Sequence, residues 1–427
     1  MTPRARIISV VAVVLGCALV AALLLSTTDH LTDRNVQGNP DLGTTSEFDG
    51  VVSSPVTDFY TPPSPLPKVS PGTILKSETI PEAPKGVKAS RIMYMSQNNA
   101  GEPLAITAYV ATPDKPTQTG YPVVAIAHGT TGLDPQCGMS QAPFTAGTTG
   151  FEYWNFLGAQ LVQSGMAVVV TDYEGMGAPG TPTYLLRKQG YDVLDSLRAA
   201  TRFDPTMIDA NNLAMIGHSE GAYVTLVGAD MANEYAPELS LRGSVSIAPG
   251  GVPPVPAAVK AIVADTGTKG GGPRNGYITS LSTSWSATYP DLVPFDSWVT
   301  PKGAAEVPEY AKQCQGQVVQ TMTAPFTDYF RKDLPPELIE VAAMNQPITR
   351  KAAVPLLMLQ GMKDTGIVPQ VTKGMFQLEC AYGSTAKYQQ FQNDTHRSSV
   401  FASAETYTDW LWDRFTDKPA PSNCQGM

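Results

Sequence analysis

Basic residues are scarce: 29 Lys and Arg face 38 Asp and Glu, giving a formal net charge of −9. No Lys/Arg-rich block occurs anywhere in the 427 residues, so nothing could neutralise a row of phosphates, and nucleic acid is excluded as a partner. Charged residues make up only 16% of the chain and hydrophobic ones 42%. That balance excludes long disordered or coiled-coil stretches and suits a packed globular protein. Cysteine is rare as well, with five residues far apart and no histidine grouped beside them. A metal site needs clustered ligands at short spacing, so none is expected.

Long apolar runs are absent except for one, Ile7 to Leu25, preceded by Arg4 and Arg6 and followed by Ser26-Thr27-Thr28-Asp29. Such a segment directs export. Its length, about 19 residues, lies at the lower edge of membrane-spanning length, and no clean small-x-small cleavage site follows it. Residues 1–28 therefore read as a signal peptide or an N-terminal membrane anchor. Val14-Leu15-Gly16-Cys17 loosely resembles a lipobox, although the apolar run continues past Cys17. Setting Cys17 aside leaves Cys137, Cys314, Cys380 and Cys424, an even number bound for an oxidising compartment and hence two disulfides. Of the three possible pairings, Cys137 with Cys314 and Cys380 with Cys424 would tie an inserted region to the core and the C-terminal tail to the last helices. The sequence alone does not choose among them.

Residues 29–71, rich in Pro, Ser, Thr and Asp, read as a spacer that then lies along the surface. From Val87 to Thr112 two apolar or alternating runs flank Gln97-Asn98-Asn99-Ala100-Gly101, predicting an antiparallel hairpin. Beyond it, short β-branched runs alternate with helical patterns. Strands are expected at Val123–Ala127, Ala167–Val170, Leu213–Ile216, Gly243–Ala248 and Pro355–Gln360, and helices near Asn155–Gln163, Tyr191–Ala200 and Ser219–Asn233. This alternation predicts an α/β fold, a mostly parallel sheet covered by helices on both faces. About 100 residues separate the last two strands, too many for a bare loop. Residues 250–349 are read as an inserted, mainly helical cap between the two parts of the core, 72–249 and 350–427. The cap holds Trp285, Tyr289, Phe295, Trp298, Phe326, Tyr329 and Phe330. These aromatics suit either the core of a small subdomain or a substrate-binding lid.

Gly217-His218-Ser219-Glu220-Gly221 matches Gly-x-Ser-x-Gly, a string that chance supplies about 0.2 times in a chain of this length. Its context is what carries weight. The apolar run Leu213–Ile216 ends at Gly217, and Ala222, Leu226 and Ala229 begin a helical stripe after Gly221. That is the strand-turn-helix of a nucleophile elbow, where glycines relieve crowding around a Ser in a strained turn. The helix start would also direct N–H groups at a developing oxyanion.

A Ser nucleophile needs a base, and only four histidines exist: His30, His128, His218 and His396. His30 lies in the export region, His128 ends a strand, and His218 occupies the elbow position whose side chain would point away from Ser219. His396 remains. The acid that orients it is expected between Ser and His in chain order. Asp364, after the strand Pro355–Gln360, fits that rule, with Asp394 as a rival more suited to a local turn. His128-Gly129-Thr130-Thr131-Gly132 follows the first parallel strand, so a backbone N–H of Thr130 or Thr131 can join that of Glu220 in an oxyanion hole. Gly175-Met176-Gly177-Ala178-Pro179-Gly180 matches Gly-x-Gly-x-x-Gly. Pro179 and Pro182 leave no helix opening there, so no dinucleotide cofactor is expected.

These residues resemble the secretory lipases of the α/β-hydrolase superfamily. The resemblance rests on Phe59-Tyr60-Thr61-Pro62-Pro63 with Pro71-Gly72-Thr73, on His128–Gly132, on Asp172-Tyr173-Glu174-Gly175-Met176-Gly177, on the elbow, and on Thr408 to Phe415. It implies a triad of Ser219, Asp364 and His396, a cap inserted before the acid-bearing strand, and hydrolysis of acylglycerols or simpler carboxylic esters with no cofactor or metal. The substrate partner would be an ester or lipid, met at a lipid interface through the cap. Thr395 and Arg397 depart from the small or Gly neighbour expected beside the His. A same-fold peptidase or acyltransferase is the alternative activity, and a non-catalytic cell-envelope protein the alternative class.

Overall fold

The computed structural model describes residues 56–98, 100–253 and 272–425. The export segment, Cys17, His30 and most of the spacer lie outside the described residues. Strand β1 (Ile74–Thr79) precedes the hairpin β2 (Val87–Gln97) and β3 (Pro103–Pro113). After them come β4 (Tyr121–Ala127), β5 (Ala167–Thr171), β6 (Ile208–His218), β7 (Leu241–Ile247), β8 (Leu356–Gly361) and β9 (Ala386–Phe391). Together they form one nine-stranded sheet in the order β1-β2-β3-β5-β4-β6-β7-β8-β9. The first three strands and the β3–β5 contact are antiparallel, and every other pairing is parallel.

Strand alternation divides the core into two layers. In β4, Val123, Ala125 and Ala127 join Val193, Leu194 and Leu197 of the helix Gln189–Phe203 and Val224 and Val227 of the helix Glu220–Tyr235. Val124 and Ile126 face the other way, onto Leu157, Leu161, Trp410 and Leu411. Each such Val, Leu or Ile side chain contributes about 1.5–3 kcal/mol on burial. A strand apolar on both faces is what a sheet sandwiched between helices requires.

The expected strands and helices are present, with two differences of substance. The first wall helix begins earlier than predicted, at Thr149, where Thr148 Oγ1 accepts from Phe151 N at 3.3 Å. It passes through a π-helical turn, Trp154–Gly158, before ending at Gln163. The edge strands β1 and β9 were not foreseen, because Ile-Leu-Lys-Ser-Glu-Thr and Ala-Lys-Tyr-Gln-Gln-Phe carry the polar residues typical of exposed sheet edges. The spacer does run along the surface from Thr61, but Phe59 and Tyr60 are buried with Met93, Ala105 and Ala178.

Between β7 and β8 lie the helices Gly272–Thr288, Pro301–Tyr310, Gln315–Thr321, Phe326–Tyr329 and Leu338–Met344. Trp285, Trp298, Phe326, Tyr329 and Phe330 are each at most 2% exposed and belong to one cluster with the core beneath the sheet. These aromatics serve packing in this conformation, the first of the two uses expected for them. Disulfides join Cys137 to Cys314 and Cys380 to Cys424. The first ties the loop after β4 to the helical insertion, and the second ties the C-terminal tail to the helix Pro369–Ala381. No described helix is long and apolar enough to cross a membrane.

Candidate active site

Ser219 stands between β6 and the helix Glu220–Tyr235 with φ 59° and ψ −119°. A non-glycine residue in this region is strained, and the surroundings must hold it there. They do so through its backbone: Ser219 N donates to Ile247 O at 3.0 Å, while Ser219 O accepts from Gly250 N at 3.0 Å and Ala222 N at 3.1 Å. The flanking glycines are required by close approach. A Cβ on Gly217 would collide with the carbonyl of Gly221, and one on Gly221 with the carbonyl of Ala127. The helix therefore lies directly against the end of β4, with Ser219 at its N-terminus, where the first N–H groups lack partners within the helix.

His396 lies beyond β9, and its Nδ1 is 2.7 Å from Asp364 Oδ2. The Asp364 carboxylate is itself fixed, its Oδ1 accepting from Gly366 N at 2.9 Å and Ile367 N at 2.8 Å, and its Oδ2 from Gln360 Nε2 at 3.1 Å. The rival Asp394 accepts from Ser398 Oγ at 2.9 Å in a local turn, as its position suggested.

His218, whose side chain is directed away from the nucleophile, buttresses the His396 loop. Its Nε2–H donates to the His396 carbonyl at 2.9 Å, and the two rings lie 4.4 Å apart. Burial, assisted by the neighbouring His396, holds His218 well below the usual histidine range, so it stays uncharged. The unexpected Arg397 is an anchor too: its Nη2 meets Glu152 Oε2 at 2.6 Å, and its guanidinium lies over the Phe156 ring. Room for the loop comes from across the sheet end, where a Cβ on Gly361 would stand 2.5 Å from Asp394 O and 2.6 Å from Thr395 O.

The turn after β4 completes the site. A Cβ on Gly129 would stand 3.4 Å from Ser219 Cβ, so this turn faces the elbow. Gly129 N donates to Tyr153 OH at 2.6 Å, Tyr173 OH donates to His128 O at 2.8 Å, and Gln315 N donates to Thr131 O at 2.8 Å. The His128 ring stacks on Tyr173, and burial lowers its pKa to about 4, which leaves it neutral and structural. Thr131 is buried, whereas Thr130 is half-buried and turns its hydroxyl toward Tyr184 OH, 3.2 Å away. Tyr153, Tyr184 and Gln189, which hold this region, carry no motif that could have announced them. The glycine-rich run Gly175–Gly180 forms a loop after β5 with no helix opening on it, the next helix beginning at Gln189.

The sequence profile of the secretory lipases matches residues 140–423. The chain belongs to the secretory lipase family. Lipase A of Moesziomyces aphidis is 28% identical over 292 residues, 64% of this chain and 58% of that protein. A Mycobacterium tuberculosis protein named a probable inactive lipase is 30% identical over 207 residues, 45% of each chain. The secretory lipase chain thus spans about half the length of these two relatives. Its fold is that of lipase A from Candida antarctica in its closed state, with a TM-score of 0.70 at 17% identity, covering 88% of this chain and 90% of that one.

Proposed function

We propose that the chain is an exported carboxylic ester hydrolase working through Ser219, His396 and Asp364. The observation that carries this reading is the 2.7 Å contact between His396 Nδ1 and Asp364 Oδ2, on a loop that His218 holds against the strained elbow of Ser219. With Nδ1–H committed to Asp364, Nε2 is the free base. It takes the hydroxyl proton as Ser219 Oγ attacks the ester carbonyl, and returns it to the departing alcohol. Water then attacks the acyl-enzyme by the same route. The backbone N–H of Glu220 at the helix start and that of Thr130 stabilise the oxyanion. Thr130 is preferred to Thr131 because Thr131 is buried and its carbonyl is tied to Gln315.

The substrate is a hydrophobic ester. Residues 250–349 act as a cap whose displacement opens an apolar binding surface for an acyl chain, at about 0.8 kcal/mol per buried CH₂. Residues 1–28 direct export, in keeping with the name of the family and with two disulfides in the fold. The decisive test is turnover of p-nitrophenyl esters from acetyl to palmitoyl by the wild-type chain and by Ser219→Ala. The wild type turns over at least the shorter esters, and the variant retains the wild-type melting temperature while losing at least 10³-fold in kcat. Undiminished turnover by the variant refutes the assignment of Ser219. A folded wild type inert toward every ester would align the chain with its relative named inactive.

A further inference from the structure

Tyr153 holds a hydroxyl proton that the fold does not use. Its oxygen accepts from Gly129 N at 2.6 Å, and among the described residues it has no other hydrogen-bond partner. A phenol carries one donor besides its acceptor sites, so the O–H is uncommitted. Tyr173 on the same turn, by contrast, spends its O–H on the His128 carbonyl. Gly129 fixes where the free donor stands. A Cβ there would lie 2.3 Å from Tyr153 OH, 3.1 Å from His218 O and 3.4 Å from Ser219 Cβ. The missing side chain thus leaves a space that the phenol oxygen fills, against the elbow and its half-buried Ser219.

The ring is held from both sides of the site. His128 meets it edge-on at 5.9 Å and Phe156 at 5.7 Å, and Phe156 packs edge-on against His218 at 5.1 Å. Glu152, one residue earlier, is ion-paired with Arg397, the neighbour of His396. Tyr153 immediately precedes the π-helical turn Trp154–Gly158, a feature that recurs at functional sites. One short segment therefore touches the oxyanion turn and the His396 loop together.

We propose that Tyr153 is a further catalytic residue, its phenolic O–H a third donor to the oxyanion beside the backbone N–H groups of Glu220 and Thr130. The inference rests on the ester-hydrolase reading above. As Ser219 Oγ bonds to the ester carbonyl carbon, the C=O π pair moves onto the carbonyl oxygen, and the phenol donates a hydrogen bond to it without transferring its proton. The same contact forms again when water attacks the acyl-enzyme. Because packing fixes the phenol oxygen, only rotation about its C–O bond is needed, and little reorganisation opposes it. Accepting from Gly129 N polarises the phenol and strengthens its donation. Burial raises the pKa of Tyr153 well above the ordinary tyrosine range, opposed by the hydrogen bond from Gly129 N, so the proton is in place at neutral pH.

The test is kcat and KM for p-nitrophenyl butyrate at neutral pH in the wild type, Tyr153→Phe and Tyr153→3-fluorotyrosine. Phe keeps the ring and removes the O–H, so kcat falls about 100-fold with KM within about twofold, as loss of a donor used only in the transition state requires. A phenol that merely accepts from Gly129 N to hold the turn would also be missed, and fluorine separates the two roles. It withdraws electron density, making the O–H a better donor and the oxygen a poorer acceptor. The fluorinated chain therefore gains about two- to fivefold in kcat, whereas a turn held by acceptance alone would lose activity. Wild-type kcat in the Phe variant, or a kcat at or below wild type in the fluorinated chain, overturns the proposal. Should the Phe variant fail to fold by thermal melting, the fluorinated chain still decides. A wild type without ester turnover would overturn both this inference and the function it rests on, whereas turnover that survives Tyr153→Phe undiminished overturns this one alone.

Discussion

Single residues differ in how far their surroundings could be foreseen. Ser219 is identified by two glycines and a strand-to-helix change, all local, and His396 by elimination among four histidines. Asp364 was preferred on chain order, and the geometry gives the reason: three donors and the imidazole converge on it, while Asp394 closes a turn. Asp364→Asn would keep the shape but present the wrong partner to Nδ1, so kcat should drop about 10³- to 10⁴-fold with folding retained. Asp394→Asn should leave kcat near the wild-type value. Equal losses in the two variants, measured on one ester, would contradict the assignment of the acid. The contact of Gln189 with Glu220 behind the elbow was not legible, because the two come from separate stretches of the chain.

Elements were readable in proportion to their burial. β4, β5, β8 and the second half of β6 are apolar on both faces, and such runs leave little choice of structure, while β7 is buried with Ser244 and Ser246 on one of its faces. β1 and β9 border the sheet, have one side exposed, and lack the run that would mark them. The helix Glu220–Tyr235 shows what packing adds to a legible element. Its register is dictated by the approach of Gly221 to the Ala127 and His128 carbonyls. Gly221→Ala inserts a methyl group where two backbones touch. We expect a loss of about 1–3 kcal/mol from overpacking, visible as a lower denaturation midpoint, together with reduced kcat because the oxyanion donors shift. An unchanged midpoint would show that the helix can retreat without strain.

Across the whole molecule the helical insertion is fastened to the core at several points. Cys314 bonds Cys137 next to the oxyanion turn, Gln315 N donates to Thr131 O, and Arg187 reaches Asp230 on the elbow helix and Gln346 O at the end of the insertion. The two disulfides should therefore behave differently. Cys137→Ala with Cys314→Ala should cost about 2–5 kcal/mol of stability and lower kcat as well, since the turn holding Thr131 loosens. Cys380→Ala with Cys424→Ala should lower the melting temperature and leave kcat unchanged, because the tail stands away from the site. Melting curves and ester kinetics on both double variants check this, and a kcat loss confined to the second pair would refute it.

Sequence alone determined what depends on neighbours along the chain: the hairpin, the alternation of strands and helices, the elbow at Ser219, and membership of a recognisable family. Such features are written in periodicity and in glycines at fixed offsets, which act over a few residues. Tertiary structure decided what depends on convergence across long separations. It paired the cysteines, chose Asp364 over Asp394 as the partner of His396, recruited His218 and Gly361 to seat the His396 loop, and packed the aromatics of the insertion into the core. Close packing and unmet hydrogen bonds select those contacts, and neither is expressed until the chain has folded.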